Sequence, residues 1–213
     1  MDSPWSLPAV GKFARFAQVV LLIAGVAGAG RAVASGEAAA PWTTAAWHGE
    51  NALAAESAGW RAVVSLERGR LVHFGPAGGD ENLLFAPAVR GEQQGWGGHI
   101  VWLGPQAEWP AIWPPLAAWE RSAAAAHAVR DGWLEVAMPP RTGDWAQVVR
   151  GYRWEGDRLL CRVSVRGGSR AAQVIQIVQV PARARVRVAQ AAPTVSLPSG
   201  FAVLKVGAPD QVV

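Results

Sequence analysis

WAQVVRGYRWEGDRLLCRVSVR, residues 145–166, decides the fold of this chain. In its second half Leu159, Cys161, Val163 and Val165 alternate with Arg158, Arg162, Ser164 and Arg166. Successive side chains of a strand point to opposite faces, so this period of two predicts a half-buried strand with one wet face. Glu155-Gly156-Asp157 separates that strand from another over Trp145–Trp154, and a short glycine-bearing break between two such runs reads as a hairpin.

The same pattern extends outward. Asp131-Gly132 lies between Ala123–Arg130 and Trp133–Met138, the strongest short hairpin signal in the chain. Glu67-Arg68-Gly69 lies between Arg61–Leu66 and Arg70–Phe74. Shorter strands are expected over Asn82–Phe85, Ile100–Leu103 and Phe201–Val206, and a continuously apolar one, suited to a sheet centre, over Gln173–Val180. Arg183, Arg185 and Arg187 alternate with Ala184, Val186 and Val188, which reads as a solvated strand face. Residues 35–57 are alanine-rich without a clear period; Ala52–Ala58 fits a helical turn or, equally, a linker or irregular lead-in strand, and regular structure is expected to begin at Trp60. No segment carries a long helical period. The expectation is an all-β, antiparallel β-sandwich of about ten strands in two packed sheets. It forms one domain over residues 59–213, preceded by a lead-in segment or linker at 35–58.

The first 34 residues read as an export signal. Lys12 and Arg15 precede the apolar run FAQVVLLIAGVAGAG (16–30), and Ala32-Val33-Ala34 fits a small-residue cleavage site before Ser35. The run is shorter than the roughly 20 residues of a bilayer-spanning helix, so no stable membrane anchor is expected after cleavage; an uncleaved anchor is the alternative. Ser35, not a cysteine, stands directly after the cleavage site, so a lipoprotein is not expected. Cleavage removes Lys12, Arg15, Arg31 and Asp2, lowering the formal net charge from +4 to +2 and weakening any case for a nucleic-acid partner. The protein is expected in a bacterial periplasm or secreted. Cys161, the single cysteine, excludes an intrachain disulfide and reads as a small buried hydrophobe.

Chemistry, if present, belongs to one tract. NLLFAPAVRGEQQGWGGHIVWLGPQAEWPAIWPPLAAW (82–119) holds Trp96, Trp102, Trp109, Trp113 and Trp119 among Pro105, Pro110, Pro114 and Pro115. Indoles on glycine- and proline-stiffened loops suit a flat, partly apolar ligand such as a sugar ring, with imidazole, amide and carboxylate for its hydroxyls. The candidate carbohydrate-binding residues are Trp96, His99, Trp102, Gln106, Glu108, Trp109 and Trp113. The opposing reading is that these indoles plug the open end of the sandwich. His48, His73, His99 and His127 lack metal-ligand spacing, no Gly-x-Ser-x-Gly elbow occurs, and Gly95, Gly97 and Gly98 lack the lysine of a phosphate loop. Neither a metal nor a cofactor is expected, and no catalytic residue is assigned.

The segments NLLFAP (82–87), GWGGHIVWLGPQAEWP (95–110) and WPP (113–115) resemble the hallmark of a bacterial domain family of unknown function in the galactose mutarotase-like (aldose 1-epimerase-like) superfamily. Asn82, Leu83, Leu84, Gly97, Gly98, His99, Trp102 and Pro105 match its pattern, and AAQVIQIVQV (171–180) resembles its apolar-Gln-apolar strand without the tryptophan common there. The resemblance covers roughly residues 59–190 and implies an antiparallel β-supersandwich whose broad face binds mono- or oligosaccharide. Ile100 replaces an expected arginine and Gln106 an expected glutamate, which implies a neutral or reshaped site. The two histidines and late glutamate of true mutarotases have no match; Glu92, Glu108 and Glu120 come too early, and His99 as acid or base would lack a partner. The chain is shorter than a full supersandwich, implying a shortened member, a truncated product, or a domain completed by a second copy as a homo-oligomer. Three functions follow: a non-catalytic carbohydrate-binding protein, an aldose 1-epimerase-like enzyme, or a structural or assembly protein of the cell envelope.

Overall fold

The structure, a computed structural model, describes residues 18–24, 41–89, 96–104, 121–139, 147–166, 173–181, 194–196 and 202–204. The chain divides into two compact units, residues 1–181 and 182–213. Among the described residues there is no helix; the protein is all-β and antiparallel.

The first unit contains β1 (Gln18–Ala24), β2 (Thr43–Trp47), β3 (Glu50–Ser57), β4 (Trp60–Ser65), β5 (Arg70–Pro76), β6 (His99–Gly104), β7 (Ala126–Arg130), β8 (Trp133–Ala137), β9 (Gln147–Glu155), β10 (Arg158–Arg166) and β11 (Gln173–Val178). A five-stranded sheet runs β1-β10-β9-β8-β7, a four-stranded sheet runs β2-β3-β4-β5, and β6 pairs with β11. The second unit contains β12 (Thr194–Ser196) and β13 (Ala202–Leu204), which pair with each other.

Hairpin turns set much of this order. His48-Gly49, Ala58-Gly59 and Asp131-Gly132 each place both residues at positive φ, the type I′ geometry whose twist matches that of the flanking strands. Only the Asp-Gly pair carries the usual sequence signal. The two cryptic turns explain two departures from expectation. After β1, strands resume at Thr43, not Trp60, and Ala52–Ser57 lies within β3 and forms no helical turn. Asn82–Phe85, expected as a strand, is a loop. Gln173–Val178 has one strand partner, β6, and is not a sheet centre among the described strands. The expected strand through Arg183–Val188 lies outside the described residues.

The alternation in β10 is realised as expected. Leu159, Cys161 and Val163 are fully buried and Val165 nearly so, while Arg158 and Arg166 face solvent. Leu159, Cys161, Leu134, Val136, Tyr152 and Trp154 from the five-stranded sheet join Leu53, Ala55, Ala62, Val64, Leu71 and Phe74 from the four-stranded sheet in one apolar cluster. Trp60 stacks on Phe74 at 5.3 Å between ring centroids, and Phe74 on Trp154 at 5.9 Å, so aromatic contacts cross from one sheet to the other. The other end of the β9–β10 face, with Val148, Val163 and Val165, is covered by Ile100–Leu103 of β6 and Val174, Ile175 and Ile177 of β11. Tyr152 is the point where the two covers meet, because it touches both β5 and β6.

Candidate functional site

The segment leading into β6 is fixed by its glycines. Gly97 and Gly98 sit at φ +67° and +75°. A Cβ on Gly97 would lie 2.2 Å from the Phe85 carbonyl oxygen, and one on Gly98 2.1 Å from that of Leu71. No other residue fits both the dihedral and the space. The tight passage is closed by backbone bonds from Gly98 N–H to Phe85 O at 2.8 Å, Gln179 N–H to Gly98 O at 3.1 Å, and Phe85 N–H to Gln179 O at 2.8 Å. Asn82 holds the neighbouring loop on β5: its amide donates to Val72 O at 2.8 Å, and its Oδ1 accepts from Phe74 N–H and Leu84 N–H.

Buried arginines grip the same segment. Arg68, fully buried, faces the Glu50 carboxylate through Nε at 2.9 Å and 3.0 Å and Nη2 at 2.9 Å. Ser65 Oγ donates to Glu50 Oε2 at 2.6 Å and accepts from Arg68 N–H at 3.1 Å. With its charge matched in this way, Arg68 donates Nη1 to Trp96 O at 2.9 Å and lies 4.6 Å from the centroid of the Trp47 ring. Arg70, also fully buried, donates Nη1 to Gly97 O at 3.3 Å and lies 6.0 Å from the Trp96 ring centroid. Arg150 donates to Gly69 O, tying β9 to the turn that carries Arg68. Trp96 is thus held by its carbonyl and flanked by a guanidinium, with its side chain half-buried.

His99 is wholly enclosed. Nε2 lies 2.9 Å from Gln176 Oε1 on β11, and Nδ1 lies 3.3 Å from Tyr152 Oη on β9. An amide oxygen only accepts, so the hydrogen-bond network assigns the proton to Nε2. Nδ1 then accepts from the Tyr152 hydroxyl, whose oxygen accepts Leu71 N–H at 3.2 Å. The result is a chain of neutral groups across four strands, β11, β6, β9 and β5. Burial, then the Arg150 charge, push the His99 pKa down to about 3, and burial pushes that of Tyr152 up. A ring with both nitrogens engaged and no exposed surface is a core histidine, not one poised to exchange protons with a ligand.

The candidate residues therefore separate. Trp96 and His99 share the fixed segment, but only Trp96 has solvent-accessible surface. Trp102 is buried in the cluster around Met138, Val148 and Val163. Three positions along a strand put it on the face opposite His99. Gln106, Glu108, Trp109 and Trp113 lie outside the described residues. Sequence reasoning missed Glu50, Arg68, Arg70, Arg150, Tyr152 and Gln176. A faint signal existed for Arg150 and Tyr152, which share the inward parity of Val148 and Trp154.

One solvent-facing cluster was also missed. On the outer face of β8, β9 and β10, half-exposed Trp133 lies 4.2 Å from the Arg162 guanidinium and 4.8 Å from that of Arg153, both measured to the ring centroid. Arg162 also donates to Glu135 at 2.7 Å across Gly151, whose lack of a side chain leaves room for the crossing. Among the described residues no three His, Cys, Asp or Glu side chains converge as a metal site would require. No family model, curated protein or solved structure matches this chain.

Proposed function

We propose that this chain is an exported, non-catalytic carbohydrate-binding β-sandwich protein of a bacterial cell envelope, related to the mutarotase-like superfamily. The observation that supports the reading is the clamp on Trp96. Arg68 and Arg70 hold the carbonyls of Trp96 and Gly97, leaving the indole half-buried at one end of the tryptophan-dense segment. An aromatic face fixed before the ligand arrives loses little conformational entropy on binding, which suits recognition of the C–H face of a sugar ring. The enclosure and neutrality of His99 argue against ring-opening catalysis, because that reaction needs exposed acid and base groups.

Isothermal titration against neutral and acidic mono- and oligosaccharides, with indole fluorescence as a second signal, tests the proposal. A saturable response is expected, weakened by Trp96→Ala by about 2 kcal/mol, roughly thirtyfold in Kd. Silence across the panel in both signals removes carbohydrate from the proposal. Mutarotation of fresh α-glucose or α-galactose abolished by His99→Ala would replace binding with catalysis.

A further inference from the structure

The five-stranded sheet has an unusual outer member. β10 pairs with β9 over Arg158–Arg166, in register from Arg158↔Glu155 to Arg166↔Gln147. Its other edge pairs with β1 from Gln18↔Ser164 to Ala24↔Arg158. β1 comes from the apolar run that the sequence marks as the core of a removable leader. If residues 1–34 are cut away, seven residues of β10 lose their pairing partner at once.

The edge left behind carries one exposed charge, Arg158 at its end, and otherwise lacks the features that protect such edges. β10 contains no proline, and its register with both neighbours is unbroken. Leu159, Cys161 and Val163 are fully buried just behind it. Arginines usually guard a strand edge by their charge, but Arg162 and Arg166 lie 2.7 Å and 3.5 Å from Glu135 on β8, so they lean inward across the sheet. A long edge of unbroken register backed by an apolar core is a template for strand addition.

We propose that the outer edge of β10 is a strand-acceptor site which removal of the leader opens. Its occupant is then an extended segment of a partner chain with the chemistry of residues 18–24: uncharged, proline-free, apolar, and antiparallel to β10. Main-chain hydrogen bonds supply the affinity, and the alternation of β10 selects an apolar strand. The inference rests on the export reading, not on carbohydrate binding.

Amide hydrogen exchange on the full chain tests it. Alternate residues of a strand direct their N–H groups to opposite neighbours, so β10 carries one set facing β9 and one facing β1. In the wild-type chain both sets and the amides of 18–24 exchange slowly. In the Val20→Pro/Leu22→Pro chain only the outward set is released, by about a hundredfold or more. A synthetic peptide FAQVVLLIAGV (16–26) added to that variant restores protection, and the same peptide carrying the two prolines does not. Fast exchange of the outward set in wild type, or no restoration by the peptide, overturns the proposal. If the variant also loses the β9-facing set, labelled peptide and wild-type chain decide: uptake by strand exchange supports the site and no uptake overturns it. The mass of the exported protein reports separately on leader removal, with Ser35 as the expected first residue.

Discussion

Stability should fall between pH 7 and pH 4 because His99 cannot accept a proton without breaking its hydrogen-bond chain. The folded pKa lies at about 3 and the unfolded value is 6.5. Between those values the unfolded chain binds a proton that the folded chain refuses, so stability rises with pH through the window and is lost as pH falls through it. Below about pH 3 both states carry the proton and the contribution is constant. Each pH unit inside the window is worth about 1.4 kcal/mol, which integrates to about 3 kcal/mol between pH 7 and pH 4. His73 shifts in the same direction, chiefly by burial. The comparison that isolates His99 is therefore wild type against His99→Gln, a side chain that can still bond Gln176 and Tyr152 but does not titrate. Urea unfolding followed by tryptophan fluorescence at pH 7 and pH 4 gives the difference. The variant should lose about 3 kcal/mol less than wild type across that interval. Equal losses in the two proteins, or an imidazole that titrates near 6.5 by nuclear magnetic resonance, would refute the enclosed-histidine reasoning.

Three further outcomes follow from the same geometry. Gly98→Ala meets both a left-handed dihedral and a Cβ 2.1 Å from Leu71 O, and should lower stability by at least about 2 kcal/mol in thermal or urea unfolding. Glu50→Ala leaves the fully buried Arg68 guanidinium without its carboxylate, a loss of about 3–5 kcal/mol; Glu50→Ala combined with Arg68→Met should be less damaging than Glu50→Ala alone. Cys161 is enclosed and its thiol is pushed well above the usual range by burial, so a thiol reagent should label the native protein only at the rate of unfolding; fast labelling under native conditions would show that β10 is not packed as described.

The proposed carbohydrate binding and the enclosed His99 are compatible only if the Gly-Gly-His motif serves the scaffold. In this chain it does so: the glycines admit the Phe85 and Leu71 carbonyls, and the histidine joins β6 to β9 and β11. The proposed binding role then falls to side chains that this scaffold presents; of the candidates, Trp96 is the one described with exposed surface.

By itself the sequence determined the strand class and several boundaries. Alternation along β10 and the Asp131-Gly132 turn are local facts, because a strand has a period of two and a type I′ turn needs residues that tolerate positive φ. Burial of Cys161 followed from the same alternation. Tertiary structure decided what local pattern does not encode. His48-Gly49 and Ala58-Gly59 turn as tightly as Asp-Gly, although their first residues carry no strong turn preference, so two strands went unread. His99 became a core residue through Tyr152, 53 positions away, and Gln176, 77 positions away. Arg68 became part of the interior through Glu50 and the Trp96 carbonyl. A charged or polar side chain can be buried only where its partners converge, and that convergence belongs to the folded chain.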